Sequence, residues 1–479
     1  MPRLHLHVTT PAEFAEGLAS IRAELDVPAS FPVAVEAAAE TAASRGPDEG
    51  AARVDRRDVE LVTVDPPGSR DLDQAYGAER RGSGYRVRYA IADVVAFVAA
   101  GGTLDGESRA RGVTLYCPDG RAPLYPPALG EGAASLLPDV DRPAVLWTLD
   151  LDQQGVLVDV GVERAMVRSR RQLDYRSVQA AIDDGSAAPA LQLLREVGLL
   201  REEQERRRGG VSLNLPSQAV EREADGTFAL RYDGPLPAEG WNEQISLLTG
   251  MAAAQLMLDA GVGLLRTLPP ADPEVFTSLR QSARALGVEW PADRPYPEFV
   301  RSLDPHVPAH AALMTQSARV LRGASYAAFD GAPPAQPLHA AIASPYAHVT
   351  APLRRLADRF ANEIVLAAQA GARPPAWVLD ALPELPELMD SAHHHERALE
   401  RAVVDFLEAA VLAPKVGEEF RATVTAAGRG RATVQLREPA VLASVADPSL
   451  APGTEVRLRL DAADLVARTV TFSPVPGAP

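Results

Sequence analysis

The residues of this chain best suited to chemistry are three aspartates in one short segment. Residues 59–76 read VELVTVDPPGSRDLDQAY and contain Asp65, Asp71 and Asp73. Carboxylates gathered this closely repel one another, so one or more would protonate unless a cation neutralises the group. Oxygen ligands of this kind suit hard divalent ions such as Mg²⁺ or Mn²⁺. The spacing also fits a polar hairpin whose aspartates face water, and the residues alone leave both interpretations open.

A strand and a tight turn are expected to position these carboxylates. The largely apolar run 59–64 ends at Asp65, and the PPG that follows favours a turn. In an extended segment Asp71 and Asp73 share a face, because side chains alternate with a period of two. Residues 85–94, YRVRYAIADV, alternate with the same period, and the RRGSG sequence before them predicts a hairpin.

The rest of the chain divides into regions with different predicted secondary structure. Residues 12–25 and 32–43 have the spacing of two short helices, strands dominate 51–160, and helices dominate 173–400. Beyond about residue 415 short alternating strands with glycine turns predict a small β-barrel. We therefore expect a multidomain α/β protein.

The composition is that of a globular protein. Of 479 residues, 46% are hydrophobic and 23% are charged, and no apolar run is long enough to span a membrane. The sequence begins without an apolar leader-like segment, and Cys117 is the only cysteine. We therefore expect a reducing, cytoplasmic location and no intrachain disulfide.

The charge balance bears on possible partners. The formal net charge is −16, which argues against nucleic acid because a basic surface is its usual footprint. Net charge does not determine where charges lie. The arginine-dense segments 168–171, 206–208 and 352–355 are candidates for a local basic channel or for ordinary solvated helix faces.

The aspartate segment is the first of several motifs that follow one another in a familiar order. Downstream lie RVRYAIADVVAFV at 86–98, RRGGVSLNLP at 207–216, WNEQISLLTGMAAA at 241–254 and YAHVTAPLRRLADR at 346–359. In this order the motifs resemble the catalytic core of the RNase II/RNB family of 3′→5′ exoribonucleases. The resemblance covers roughly residues 55–400.

This resemblance implies a domain layout. We expect a small helical module at 1–50, an RNB-type catalytic core of mixed sheet and helices at 51–412, and an S1-like OB-fold β-barrel at 413–479. Family members usually carry cold-shock-like barrels before the core, and the residues that precede it here are too few for one. The expectation is a shortened bacterial form that lacks these domains, with a monomer favoured.

For the acidic residues, the resemblance implies roles position by position. Asp65, Asp71 and Asp73 match the first three of the family's four metal-binding aspartates, and they imply Mg²⁺, with Mn²⁺ as an alternative. Asp73 matches the carboxylate most critical for the chemical step. The fourth position holds Gln74, which adds no charge and predicts weaker metal binding. Asp93 also matches a family position, either as a metal contact or as a brace for its strand.

Two arginines match the segment that holds the terminal phosphates of RNA in this family. They are Arg354 and Arg355, and a guanidinium fork fits phosphate oxygens in two-pronged geometry. Asp358 lies one helical turn after Arg354 and is expected to orient it.

The resemblance also implies contacts with the last nucleotide. Tyr116 matches a tyrosine that stacks on the terminal base, and Glu243 matches a glutamate near the terminal ribose. Where relatives often have a partner phenylalanine, this chain has Leu213, so the base clamp is expected to be one-sided.

These expectations combine into one function and two alternatives. We expect metal-dependent hydrolysis of single-stranded RNA from its 3′ end to 5′-mononucleotides, with Asp73 and Arg354 as catalytic residues. Gln74 motivates the first alternative, an RNA-binding regulator on an RNB scaffold with weakened or no catalysis. The acidic composition motivates the second, a metal-dependent hydrolase of small phosphoesters.

Overall fold

The computed structural model describes residues 4–6, 12–48, 50, 52–212, 217–222, 228–304, 307–428, 430–436 and 441–475. Within these residues the α-helices, numbered α1–α12 in chain order, are Ala12–Glu24, Val33–Arg45, Thr103–Arg111, Tyr175–Asp183, Pro189–Arg208, Pro237–Ala260, Pro273–Ala285, Tyr296–Arg301, Pro308–Ser317, Leu356–Gln369, Ala376–Ala381 and Leu385–Leu412. The strands, numbered β1–β20, are Leu4–Leu6, Val54–Asp55, Leu61–Asp65, Gln74–Arg81, Gly84–Ala92, Leu115–Cys117, Gly120–Ala122, Asp141–Leu151, Leu157–Asp174, Ser217–Arg222, Phe228–Asp233, Val262–Thr267, Ser325–Asp330, Leu338–His339, Ser344–Pro345, Glu419–Gly428, Arg431–Leu436, Leu442–Val445, Glu455–Asp464 and Thr469–Pro474. Short 3₁₀ turns lie at Val94–Ala96, Ala318–Leu321 and Ala413–Lys415, and one π-helical turn lies at Leu129–Ala133.

A closed sheet of five strands forms the centre of the region between residues 61 and 174. Strands β3, β4, β5 and β8 pair in that order with antiparallel neighbours. The 18-residue strand β9 is long enough to pair antiparallel with β8 and parallel with β3, which closes the ring. The predicted hairpin joins β4 to β5 through Gly82, whose φ of 58° suits a glycine in a tight turn. Tyr76, Tyr89 and Trp147 of this sheet are fully buried, and the Tyr89 hydroxyl lies 2.9 Å from Ser246 Oγ of α6.

Helix α10 is the platform on which the segment before it rests. It packs against α6 and β9, and every residue from Leu356 to Val365 is buried. Buried charges in such a helix must be paired, and Arg359 accordingly donates to Asp105 of α3 at 2.6 Å. No helix in the described parts of the chain has both the length and the apolar character to cross a lipid bilayer.

The two N-terminal helices match the segments predicted to be helical, and both dock on the core. The Phe14 ring of α1 meets the Phe406 ring of α12 edge-to-face, with centroids 6.2 Å apart. Just after α1, the Leu25 carbonyl accepts a hydrogen bond from His395 Nε2 at 2.6 Å. Helix α2 packs against α3 and against the π-helical turn.

The C-terminal strands form the predicted small barrel. Their order is β18–β17–β16–β19–β20, all neighbours are antiparallel, and β18 packs against β20, so the sheet is nearly closed. The Phe420 and Phe472 rings lie edge-to-face at 6.0 Å, and both side chains are buried. These two aromatics therefore stabilise the barrel and are not free to stack on bases. The predicted α/β architecture with a helical N-terminal unit and an OB-like barrel is confirmed.

Candidate active site

The segment between β3, which ends at Asp65, and β4 carries Asp71 and Asp73 and is held by a buried serine. The Leu72 N–H donates to Ser135 Oγ at 2.9 Å, and that hydroxyl donates to the Arg70 carbonyl at 2.6 Å. The Leu136 N–H donates to the Leu72 carbonyl at 3.0 Å. Ser135 is fully buried, so its hydroxyl acts within the protein. Sequence reasoning missed Ser135, because nothing local marks a serine that bonds a loop distant in the chain.

Asp73 lies at the centre of the site and is 2% exposed. Its Oδ1 accepts a hydrogen bond from the Leu353 N–H at 2.7 Å, and its Oδ2 lies 3.5 Å from Arg354 Nε. Burial raises the pKa of Asp73 to about 8, although the Arg354 charge and the Leu353 hydrogen bond oppose this change. The carboxylate is thus held firmly in a place where ionisation is costly unless further positive charge arrives.

The other two aspartates differ in how their charge is compensated. Asp65 ends β3, and its Oδ2 is buried without a hydrogen-bond partner in the described part of the chain. Burial raises the pKa of Asp65 to about 6; the Arg354 charge opposes this, and the Asp71 charge adds to it. Asp71, in contrast, forms an ion pair with Arg121 Nη1, and the Tyr116 hydroxyl lies 3.4 Å from its Oδ2.

The two predicted phosphate-binding arginines have different surroundings. Arg355 forms a two-pronged ion pair with Asp358, at 2.9 Å from Nε and 2.7 Å from Nη2. Asp358 also accepts a hydrogen bond from the Ala351 N–H at 2.7 Å, which closes the loop before α10. The expectation that Asp358 orients Arg354 is wrong, because both arginines precede α10 and helical spacing does not apply to them. The Arg354 side chain remains 38% exposed.

Gln74, the departure from the family pattern, contacts the same loop. Its side-chain Nε2 donates to the Thr350 carbonyl. A carboxylate at this position could not donate such a bond, because an ionised aspartate is only an acceptor. The amide therefore ties the first residue of β4 to the segment that carries Arg354.

Asp93 is a brace between strands and a helix. It is 2% exposed, and its carboxylate accepts hydrogen bonds from Arg164 at 2.8 and 3.0 Å and from Arg53 at 3.2 Å. Arg164 also pairs with Glu363 of α10. Two arginines already compensate the Asp93 charge, which favours the bracing role over metal contact.

The residues expected to meet the last nucleotide lie on two elements. Tyr116 is on β6 and is 46% exposed, which is unusual for a large aromatic side chain and leaves its ring accessible. Glu243 is an exposed residue of α6, and its charge acts on Tyr346. Leu213 lies outside the described residues.

The carboxylate oxygens at the site are suitable ligands for a divalent cation, but in the described residues they do not surround a common point where one could bind. In the parts of the chain that the structure describes, no group of three or more His, Cys, Asp or Glu side chains is placed to hold a metal ion. Asp65 has a buried oxygen without a partner in the described residues, and Asp73 has a raised pKa, so a cation at the site would favour the ionised form of both. Asp71 can join them only if Arg121 releases it.

Comparison with known families identifies the class of protein. Residues 53–370 match the model of the RNB domain, and residues 418–475 match that of the RNase II-type exonuclease C-terminal S1 domain. The first match covers more than half of the chain, so the chain belongs to the RNB family, as its motifs predicted. The domain boundaries expected from sequence stay a prediction.

Individual relatives agree with this assignment. Ribonuclease R of Escherichia coli strain K12 is 28% identical over 429 residues, which cover 84% of this chain and 52% of the relative. The chain thus spans about half the length of the curated relatives that it matches. Mycoplasma genitalium RNase R in complex with ribose-methylated single-stranded RNA aligns with a TM-score of 0.83 at 18% identity, over 96% of this chain and 77% of that one. Yeast Ssd1, a pseudonuclease, aligns with a TM-score of 0.70 at 17% identity, over 86% and 53%. Both structural likenesses are of fold.

Proposed function

We propose that this chain is a hydrolytic 3′→5′ exoribonuclease of the cytoplasm that degrades single-stranded RNA to 5′-mononucleotides with Mg²⁺ or Mn²⁺. Family membership supports the reaction class. The observation that carries the proposal is the pairing of Asp73 with Arg354: a buried carboxylate lies 3.5 Å from Nε of an arginine whose side chain remains 38% exposed. This arrangement supports the proposal, because a carboxylate able to accept a proton from water lies beside an arginine able to bind phosphate.

Each side chain has a distinct task in the proposed reaction. Arg354 binds non-bridging oxygens of the scissile phosphate and stabilises the charge that develops there. Asp73, held by the Leu353 N–H, orients the attacking water through its other oxygen. A divalent cation held by Asp65 and Asp73 would supply charge neutralisation and a more acidic water. The raised pKa of both carboxyls makes their ionised state depend on that compensation.

The RNA end is proposed to be held at the exposed side of the site. The Tyr116 ring stacks on the terminal base, a contact that tolerates any sequence because every base has a π-face. Glu243 accepts from a ribose 2′-hydroxyl, the group that distinguishes RNA from DNA. Arg355 acts mainly by holding its loop, because Asp358 already occupies its fork.

The test is degradation of a 5′-labelled single-stranded RNA with Mg²⁺ and Mn²⁺ titrated separately. A ladder that shortens from the 3′ end supports the proposal if Asp73→Asn abolishes it. Asp58→Asn, an exposed aspartate in the turn before β3, is the matched control and should leave the ladder unchanged. An RNA that stays intact with every metal contradicts the proposal.

The alternative is an RNA-binding regulator on the same scaffold. Two observations favour it: Gln74 is engaged by Thr350, and Asp71 is engaged by Arg121, so only part of the acidic set is available. The regulator would release no nucleotide, and the wild type and the Asp73→Asn variant would bind the same RNA equally well. Binding without turnover in the assay above would therefore replace the first proposal with this one.

A further inference from the structure

The short hairpin formed by β6 and β7 carries two side chains that contact Asp71. Tyr116 and Arg121 lie directly opposite each other in its register. The Tyr116 hydroxyl approaches one carboxylate oxygen of Asp71, and Arg121 forms an ion pair with the other. Each strand has only three residues. A two-stranded hairpin this short is not stable alone, so its position depends on what packs against it.

One contact that holds the hairpin comes from α1. Arg22, in the last turn of α1, donates from Nη1 to Asp119 Oδ1 at 2.5 Å. Asp119 lies in the turn between the paired residues Cys117 and Gly120. The pKa of Arg22 is raised mainly by Asp119, and the nearby Cys117 thiol adds to this effect. The Asp119 side chain is only 14% exposed, so this ion pair is better shielded from water than an ordinary surface pair.

A second contact comes from α2. This helix packs against the π-helical turn at Leu129–Ala133. Glu131 of that turn accepts from Arg121 Nη2 at 2.9 Å. The N-terminal helices therefore support the hairpin at two places. Helix α1 contacts its turn at Asp119, and α2 packs against the π-helical turn that holds Glu131, the partner of Arg121.

The helices that make these contacts are themselves firmly attached. Phe14 and Leu25 bind α12, as described above, and Arg111 of α3 places its guanidinium 3.7 Å from the centre of the Phe31 ring. Arg111 also donates to the Ser30 carbonyl at 3.0 Å. Helices anchored in this way can hold the hairpin in a defined position without contacting the substrate themselves.

We propose that the N-terminal helical unit, residues 12–45, positions the RNA-end site by holding the β6–β7 hairpin through Arg22 and Asp119. Both are positioning residues, because neither contacts Asp71. The inference rests on the proposed role of Tyr116 in RNA binding. A hairpin fixed in advance does not have to be ordered when RNA binds, which favours affinity.

The first measurement is RNA affinity in the Asp73→Asn background, which removes turnover. Fluorescence anisotropy of a 5′-labelled single-stranded RNA is followed for Arg22→Ala, Asp119→Ala and the charge-reversed pair Arg22→Asp with Asp119→Arg. Each single variant should weaken binding by about two- to fivefold, the range of a partly shielded ion pair. The two alanine changes together should add little more, and the reversed pair should recover affinity. Arg45→Ala, exposed at the end of α2, is the control.

Two readouts separate positioning from a general loss of structure. In a Tyr116→Ala background Arg22→Ala should have no further effect on affinity, since the side chain that it positions is gone. Hydrogen exchange of the peptide 113–124, measured without RNA, should become faster in Arg22→Ala and not in Arg45→Ala. Unchanged exchange, or faster exchange with unchanged affinity, overturns the proposal. If RNA binds but is never shortened, the proposed catalysis is wrong, and the affinity and exchange measurements still test the positioning role of Arg22 and Asp119.

Discussion

Two aspartates of this chain are equally buried, but the negative charge of one is well paired with arginines and that of the other is not. Their asparagine variants should therefore change the free energy of unfolding in opposite directions. Asp73 and Asp93 are each 2% exposed. Asp93 bonds to both Arg164 and Arg53. Asp73 has one backbone hydrogen bond and a single guanidinium, Arg354, at 3.5 Å. Burial accordingly raises the pKa of Asp73 to about 8.

The sign of the pH effect follows from this raised pKa. The folded protein holds the Asp73 proton more tightly than the unfolded chain does, so the stabilising effect is complete below the ordinary value of 3.8 and is lost as the pH rises toward 8. At about 1.4 kcal/mol for each tenfold change in proton affinity, the upper limit is roughly 6 kcal/mol. Asparagine keeps an oxygen for the Leu353 N–H and never ionises. Asp73→Asn should therefore raise the free energy of unfolding of the metal-free protein, increasingly from about pH 5 to pH 8.

The assay is urea or thermal unfolding with a chelator present, for the wild type, Asp73→Asn and Asp93→Asn. Asp93→Asn should be destabilised by about 3–5 kcal/mol, because it removes the negative charge from a buried ion-pair network that includes Arg164 and Arg53. Added Mn²⁺ should stabilise the wild type by mass action and should stabilise Asp73→Asn much less. A metal-free Asp73→Asn protein that is less stable than the wild type at about pH 8 would refute the reasoning.

Three further substitutions test the surroundings of the site. Gln74→Asp should slow single-turnover RNA cleavage by about fivefold, because the lost bond to Thr350 is worth about 1 kcal/mol; a variant faster than the wild type would contradict this. Arg121→Ala should tighten Mn²⁺ binding measured by calorimetry, because Asp71 is released from its ion pair; unchanged or weaker binding would count against it. Tyr116→Ala should weaken RNA binding by about 1–3 kcal/mol in anisotropy measurements, and Tyr116→Phe should change it little; equal losses would assign the effect to the hydroxyl.

Local sequence patterns predicted the parts of the fold that depend on neighbours in the chain. The helices at 12–25 and 32–43, the hairpin before residue 85 and the alternating C-terminal strands all occur where the spacing indicated. Apolar periodicity and turn residues act over a few positions, so they can be recognised without knowledge of the tertiary structure. The same holds for the placement of Asp65 at the end of β3 and of Asp71 and Asp73 in the connection that follows.

Partner choice across the chain could not be predicted in this way. Ser135 bonds Leu72 across 63 positions, and Arg121 pairs with Asp71 across 50. Neither contact leaves a periodic trace, because each arises only when separate elements pack. The wrong partner assigned to Asp358 has a related cause. Helical spacing was applied to Arg354, which lies in the turn before the helix, and the neighbouring Arg355 is the one that binds Asp358.

The neighbouring residues Arg354 and Arg355 explain how a protein with an acidic net charge could bind the phosphate groups of RNA. A net charge of −16 disfavours RNA at long range, so attraction at the site must come from a local, well-placed cation. Asp358 neutralises Arg355 and also bonds the Ala351 N–H, so this arginine fixes the loop. The Arg354 carbonyl accepts a hydrogen bond from the Thr114 N–H at 2.9 Å, which secures its backbone, and the Arg354 side chain is partly exposed. One arginine is thus neutralised while the other is held in position, so under the proposed function recognition of the RNA end would depend on the placement of a single guanidinium more than on bulk charge.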